Sequence, residues 1–253
     1  MSCKEADHAN LPQPTVRYRV TRLRAQLRAR ARPQDVAILE RFFKTGKGEY
    51  GEGDVFIGVR LPELRRLCRE SRRTIAVSEI SQLLRSRVHE ERLLALLLLV
   101  DAFDRGGVTE QREIYQLYLA NTEFINNWDL VDSSAHYIVG AWLENRSRAP
   151  LRRLARSSSV WERRIAIIAT LHFIRRGEFE DTLFVANCLL NDPHDLIHKA
   201  VGWMLREIGN RNRTALRRFL KERYRRMPRT MLRYAIERLP EKERLAYLKG
   251  AIS

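Results

Sequence analysis

Five segments of this chain share one layout, a polar or aromatic start followed by an apolar helical run. They open at His89, Asn126, Val160, Pro193 and Arg229, 33 to 37 residues apart. In order they read HEERLLALLLLVDAF, NNWDLVDSSAHYIVG, VWERRIAIIATLHFI, PHDLIHKAVGWMLRE and RTMLRYAIERL. Second amphipathic stretches, such as 110–119 and 179–190, lie between them. One helix pair cannot bury its own apolar face, whereas stacked pairs bury it against each other; helix pairs of this length are the period of HEAT-type solenoids. No segment alternates as a strand does. The pattern predicts an all-α protein, a single curved HEAT-like solenoid of roughly six repeats over 16–253, behind a flexible leader over 1–15.

Such a stack presents one helix of each pair on its concave side, so the charge it carries matters. Lys plus Arg number 47 against 31 Asp plus Glu, a net charge of +16, and most of the excess is arginine. The planar guanidinium suits phosphate, which makes a polyanion, nucleic acid first, the expected partner. Cys3, Cys68 and Cys188 form no CxxC pair. Neither a disulfide framework nor a cysteine metal site is indicated, and a reducing cytoplasm fits. The longest apolar run, 93–100, is far short of the roughly 20 residues that span a bilayer, and no membrane association is expected.

Residues 16–32 hold seven arginines and no acid, interleaved with Tyr18, Val20, Leu23 and Leu27. This is an amphipathic helix with a basic face, and three uses stay open: gripping phosphate, lying on a membrane, or meeting solvent. Pro33 begins the next helix, whose Val36, Ile38, Leu39, Phe42 and Phe43 are expected to face the core. Residues 44–54 concentrate four of the 12 glycines. They lack the GxxxxGK[ST] spacing and read as a flexible connection rather than a phosphate loop.

The segment from Asn126 to Asp132 carries the sharpest signal. Asn126 or Asn127 caps a helix on which Asp129 accepts backbone N–H bonds, leaving Asp132 without a structural task and on one face with Trp128. If the repeat starts are equivalent, Arg92, Trp128 with Asp132, Trp161 with Arg163 and Arg164, and Lys199 with Trp203 meet in one groove. Cations and indoles around a lone carboxylate suit a phosphate backbone with bases beside it. Trp142 and Trp161 read as core fillers, Trp128 and Trp203 as groove residues. His194 and His198 have a zinc-compatible spacing but no third ligand, so no metal is expected. Ser133, Ser134, His136 and Asp132 lack the elbow that a hydrolase triad needs.

Together, FFKTGKGEYGEGDVFIGVRLPELRRL, NNWDLVD, WERRIAI, HKAVGWMLRE and MPRTMLRYAIER resemble the DNA alkylation repair family of AlkD-like HEAT-repeat DNA glycosylases, over about residues 34–250. The resemblance implies a C-shaped solenoid that holds duplex DNA in its concave face and excises cationic bases such as 3-alkyladenine and 7-alkylguanine, with no cofactor and as a monomer. Position by position it implies Asp132 as the catalytic carboxylate, Trp128 as its neighbouring indole, Arg164 as the arginine of the next repeat with Arg163 as a substitute, and Trp203 as the second groove tryptophan. Arg163, Lys199 and Arg92 are the expected DNA contacts beside them. The Arg-rich helix and long glycine-rich stretch also motivate a second reading, a non-catalytic binder of damaged or branched DNA, and a third is a protein-binding scaffold.

Overall fold

The computed structural model describes residues 16–252; the leader expected over 1–15 lies outside them. Among the described residues the chain is all-α, with one isolated bridge from Val55 to Val88. It opens with α1 (Val16–Arg28), α2 (Pro33–Phe43), α3 (Leu61–Ser71) and α4 (Val77–Leu84), followed by α5 (His89–Arg105) and α6 (Val108–Leu119). The short α7 (Trp128–Asp132) leads into a π-helical turn at His136–Gly140. Then come α8 (Ala149–Leu154), α9 (Val160–Ala169), α10 (Leu171–Ile174), α11 (Glu180–Cys188), α12 (Asp195–Arg211), α13 (Arg213–Arg223), α14 (Arg229–Ala235) and α15 (Glu241–Lys249).

The five segment starts coincide with α5, α7, α9, α12 and α14, to within two residues of each helix start. These helices form a row in space as well as in sequence, since α5 packs on α7, α7 on α9, α9 on α12 and α12 on α14. The row is held by the apolar runs that define it. Leu94, Leu98, Ile165, Ile168, Val201 and Met204 are all essentially inaccessible, each worth about 1.5–3 kcal/mol of burial. At the last junction backbones come close: a Cβ on Gly202 would lie 2.5 Å from the Tyr234 Cβ and 2.6 Å from the Met231 carbonyl. No helix among the described residues is long and apolar enough to cross a membrane.

Two expectations about the N-terminal third change. Helix α2 buries Phe43, but Ile38 and Phe42 are exposed, Phe42 at 60%. Neighbours in sequence cannot share one helix face, so the Phe42-Phe43 pair had to split between core and surface. The glycine-rich stretch is a packed turn, not a loose connection. Lys44 ends α2 in the left-handed region, Gly51 N–H donates to the Lys44 carbonyl at 2.9 Å, and a Cβ on Gly51 would meet the Phe43 carbonyl at 2.5 Å. The basic face of α1 reaches this protein's own acids: Arg24 pairs with Glu91 at 2.9 Å, and Arg30, just beyond the helix, with Glu70 at 2.7 Å.

Candidate catalytic cleft and nucleic-acid interface

Helix α7 is only five residues long, and its start is fixed by polar side chains. The Asn127 side chain accepts from the Trp128 N–H at 2.8 Å, and Asp129 accepts from the Leu130 N–H at 2.9 Å. Asp129 also meets the ring of His89 at 2.8 Å, a long-range partner that its place in a cap did not reveal. The four-residue spacing then turns Trp128 and Asp132 into the same cleft, a space of about 510 Å³. Arg164 from α9 and Lys199 and Trp203 from α12 line it too, so five of the seven residues expected at the site meet there.

Trp128 is held by an aromatic wall. Phe43 stacks on it at 5.3 Å with rings 22° apart, and Phe42 meets it edge-on at 5.6 Å. Asp132 is held by Arg164 through two parallel hydrogen bonds of 2.9 and 2.8 Å, while the same guanidinium donates to the Leu196 carbonyl at 2.6 Å. Arg164 thus ties α7, α9 and α12 together under the cleft. Burial pushes the Asp132 carboxyl above the ordinary carboxylate range, against the pull of Arg164. Its side chain keeps 18% exposure, so one face of the carboxylate remains open to the cleft.

The other two expected residues stand elsewhere. Arg163, adjacent to Arg164 but on another helix face, bonds Asp192 at 2.6 Å and the carbonyls of Ser157 and Ser158. It secures the turn before α9 and does not reach Asp132. Arg92 is only 3% exposed; it bonds Asp54 at 2.7 Å and the carbonyls of Ser86 and Arg87, so it is an internal brace rather than a groove residue. Arg92 and Arg163 make matching contacts, each with an aspartate and with the carbonyls five and six residues before it, so this repeat position carries a brace and not a groove residue.

The packed 44–54 turn supplies what the sequence reading missed. Lys44 and Tyr50 line the cleft with Phe42, and Arg206 and Tyr234 close the far side. Tyr50 stands edge-on to Trp161 at 6.1 Å, which places Trp161 beside the cleft and not wholly in the core. Burial raises the Tyr50 hydroxyl above its ordinary value, so it is neutral at physiological pH. Trp142 is buried, with the Arg146 guanidinium 3.6 Å from its ring centroid. Lys199 pairs with Asp195 at 2.7 Å and Arg206 with Glu237, but both cations keep exposed surface at the cleft rim. His194 accepts from the Leu196 N–H as a helix cap, and His198 donates to the Asp192 carbonyl. Among the described residues no group of three His, Cys, Asp or Glu side chains is arranged to hold a metal.

Comparison with known proteins bears on this arrangement. No curated protein sequence matches the chain. Among solved structures, a predicted DNA alkylation repair enzyme from Enterococcus faecalis superposes with a TM-score of 0.64 at 19% identity, covering 84% of this chain and 98% of that one. The protein smu.31 from Streptococcus mutans UA159 matches at a TM-score of 0.48 and 19% identity, over 87% of this chain and 96% of its own. At 19% identity the likeness to the Enterococcus faecalis structure shows the fold alone. The family model described as DNA alkylation repair enzyme matches residues 23–239, most of the chain and the whole of the cleft, and the protein therefore belongs to the DNA alkylation repair enzyme family.

Proposed function

We propose that this protein is a monofunctional DNA glycosylase, acting as a monomer, that releases positively charged alkylated purines such as 3-alkyladenine and 7-alkylguanine from duplex DNA. The observation that carries the reading is the meeting of Asp132, Trp128, Arg164 and Trp203 in one cleft rimmed by cations. A purine with a fixed positive charge leaves without being protonated. What needs stabilising is the deoxyribose, which gains oxocarbenium character as the bond from C1′ to the base nitrogen breaks. The Asp132 carboxylate supplies negative charge where that charge develops and orients the water that adds at C1′. The low accessibility of Asp132 strengthens the interaction, and Arg164 favours the ionised carboxylate against its burial. The indoles of Trp128 and Trp203 favour a cationic lesion by about 0.5–2 kcal/mol. Lys199 and Arg206 at the rim contact phosphates. Lesions without a formal charge are poor substrates on this account.

The test is direct: incubate the purified protein with methylated duplex DNA and identify the free bases. The proposal predicts release of 7-methylguanine and 3-methyladenine from the duplex, and no release from any alkylated duplex refutes it. A second reading, a non-catalytic binder of damaged or branched DNA, draws on the engagement of both Asp132 oxygens by Arg164. It predicts no free base at all, with affinity falling steeply as salt rises.

A further inference from the structure

Four consecutive charged residues open α5, and all four are buried: His89, Glu90, Glu91 and Arg92 are each no more than 3% exposed. Each has a distant partner, and Arg92 and His89 share Asp54. Glu91 holds Arg24 of α1. Glu90 accepts from the backbone N–H groups of Ile57, Gly58 and Val59 at 2.9–3.2 Å. Arg92 pairs with Asp54 at 2.7 Å. His89 alone bridges two walls of the cleft: one ring nitrogen meets Asp54, at the end of the 44–54 turn, at 3.0 Å, and the other meets Asp129 of α7 at 2.8 Å.

A carboxylate only accepts hydrogen bonds, so a ring with a carboxylate at each nitrogen carries a proton on both. The ring is therefore an imidazolium, and the two aspartates with His89 and Arg92 form a neutral quartet. Aromatic rings pack on the imidazolium: Phe56 stacks on it at 4.5 Å and Phe43 lies at 4.9 Å, and Phe43 in turn stacks on Trp128. We propose that His89 is a positioning residue that locks the turn carrying Lys44 and Tyr50 to the helix carrying Trp128 and Asp132, so that loss of its second proton loosens both walls of the cleft together.

When the ring becomes neutral, one of the two carboxylates loses its donor in a buried place. Whichever bond is lost, the link between the turn and α7 is broken and both segments lose it, with Asp54 left to Arg92 and Asp129 to its bond with the Leu130 N–H. The proposal goes beyond the glycosylase reading, and its test needs no DNA. Amide hydrogen exchange, corrected for the intrinsic effect of pH, is followed over 44–54 and 128–133 from about pH 7 to about pH 10 in the wild type and in His89→Gln. In the wild type, protection of both segments is expected to fall together by about tenfold or more as pH rises, the loss of roughly one charge-assisted hydrogen bond. In His89→Gln it is already low at neutral pH and flat above it, while α12 and α14 are unchanged in both proteins. A wild-type profile with no step, or a step of equal size in α12 and α14, overturns the proposal. If His89→Gln does not fold, the wild-type profile decides alone. Base release measured over the same pH range then separates the two ideas: release that occurs without an exchange step removes the lock and leaves the glycosylase standing.

Discussion

Two ion clusters flank Trp128, built from the same kinds of side chain and doing different work. On one side Asp132 and Arg164 form a bidentate pair whose carboxylate keeps 18% exposure to the cleft. On the other, His89, Asp54, Asp129 and Arg92 lie behind the aromatic wall, with the His89 side chain 1% exposed. Burial acts on both, with opposite outcomes. Asp132 has one arginine against its desolvation and a neighbouring Asp129 that adds to it, and it ends above the usual carboxylate range. Asp54 is buried too, but His89 and Arg92 outweigh that cost and hold it below the usual range. A carboxylate with all its charge neutralised by close partners is a structural part. One with charge left over and a face toward a cleft can serve a cation that arrives there.

The largest effect expected from breaking this comparison is on the sealed side. Arg92→Ala leaves Asp54 short of a partner and should lower stability by about 3–5 kcal/mol, read from urea unfolding; a loss under about 1 kcal/mol contradicts the description of Arg92 as an internal brace. Next comes pH. Burial opposes a charged His89, but Asp129 and Asp54 outweigh it and hold the ring up at about 9, against 6.5 for the ordinary side chain. Because the folded value lies above the unfolded one, this stabilisation is complete below pH 6.5 and disappears as pH rises through about 9. The change amounts to roughly 3 kcal/mol, and a denaturation midpoint flat across that window contradicts it. On the cleft side, Asp132 sits above the ordinary carboxylate value, so base release should fall on acidification at a higher pH than a solvated aspartate would give. A single-turnover pH profile with its acid limb at the ordinary value removes the burial argument. The smallest effect concerns the rim: Trp203→Ala should weaken discrimination for cationic lesions by about 0.5–2 kcal/mol, measured as the ratio of 7-methylguanine release to release of a neutral lesion.

What the sequence disclosed follows the range of the interactions involved. The period of the apolar runs is local, and it located all five helices of the row. The pairing of Trp128 with Asp132 rests on a single helical turn, and it too was legible. The step from one repeat to the next brought in Arg163 and Arg164 together, and the family resemblance chose Arg164 between them. Arg92 and Arg163, by the same step, came out wrong, because each is turned onto an aspartate and the carbonyls just before its own helix, contacts that a basic residue type alone does not disclose. Phe42 was read as a core residue, and Tyr50 was missed because the glycines around it suggested looseness, whereas Gly51 is there because backbone passes too close for a side chain. The sign that remained unread was HEER, four charges in a row at the head of a buried helix, which has no place in a core unless each has a distant partner.

The central claim is that Asp132 stabilises charge on the sugar. It is tested most directly by single-turnover release of 7-methylguanine by Asp132→Asn, with duplex affinity measured on the same preparation. A fall in rate of about 10²–10³ or more at nearly unchanged affinity is the result expected of a lost electrostatic contact in the transition state. Release at the wild-type rate, or a rate that falls only in step with affinity, would contradict it.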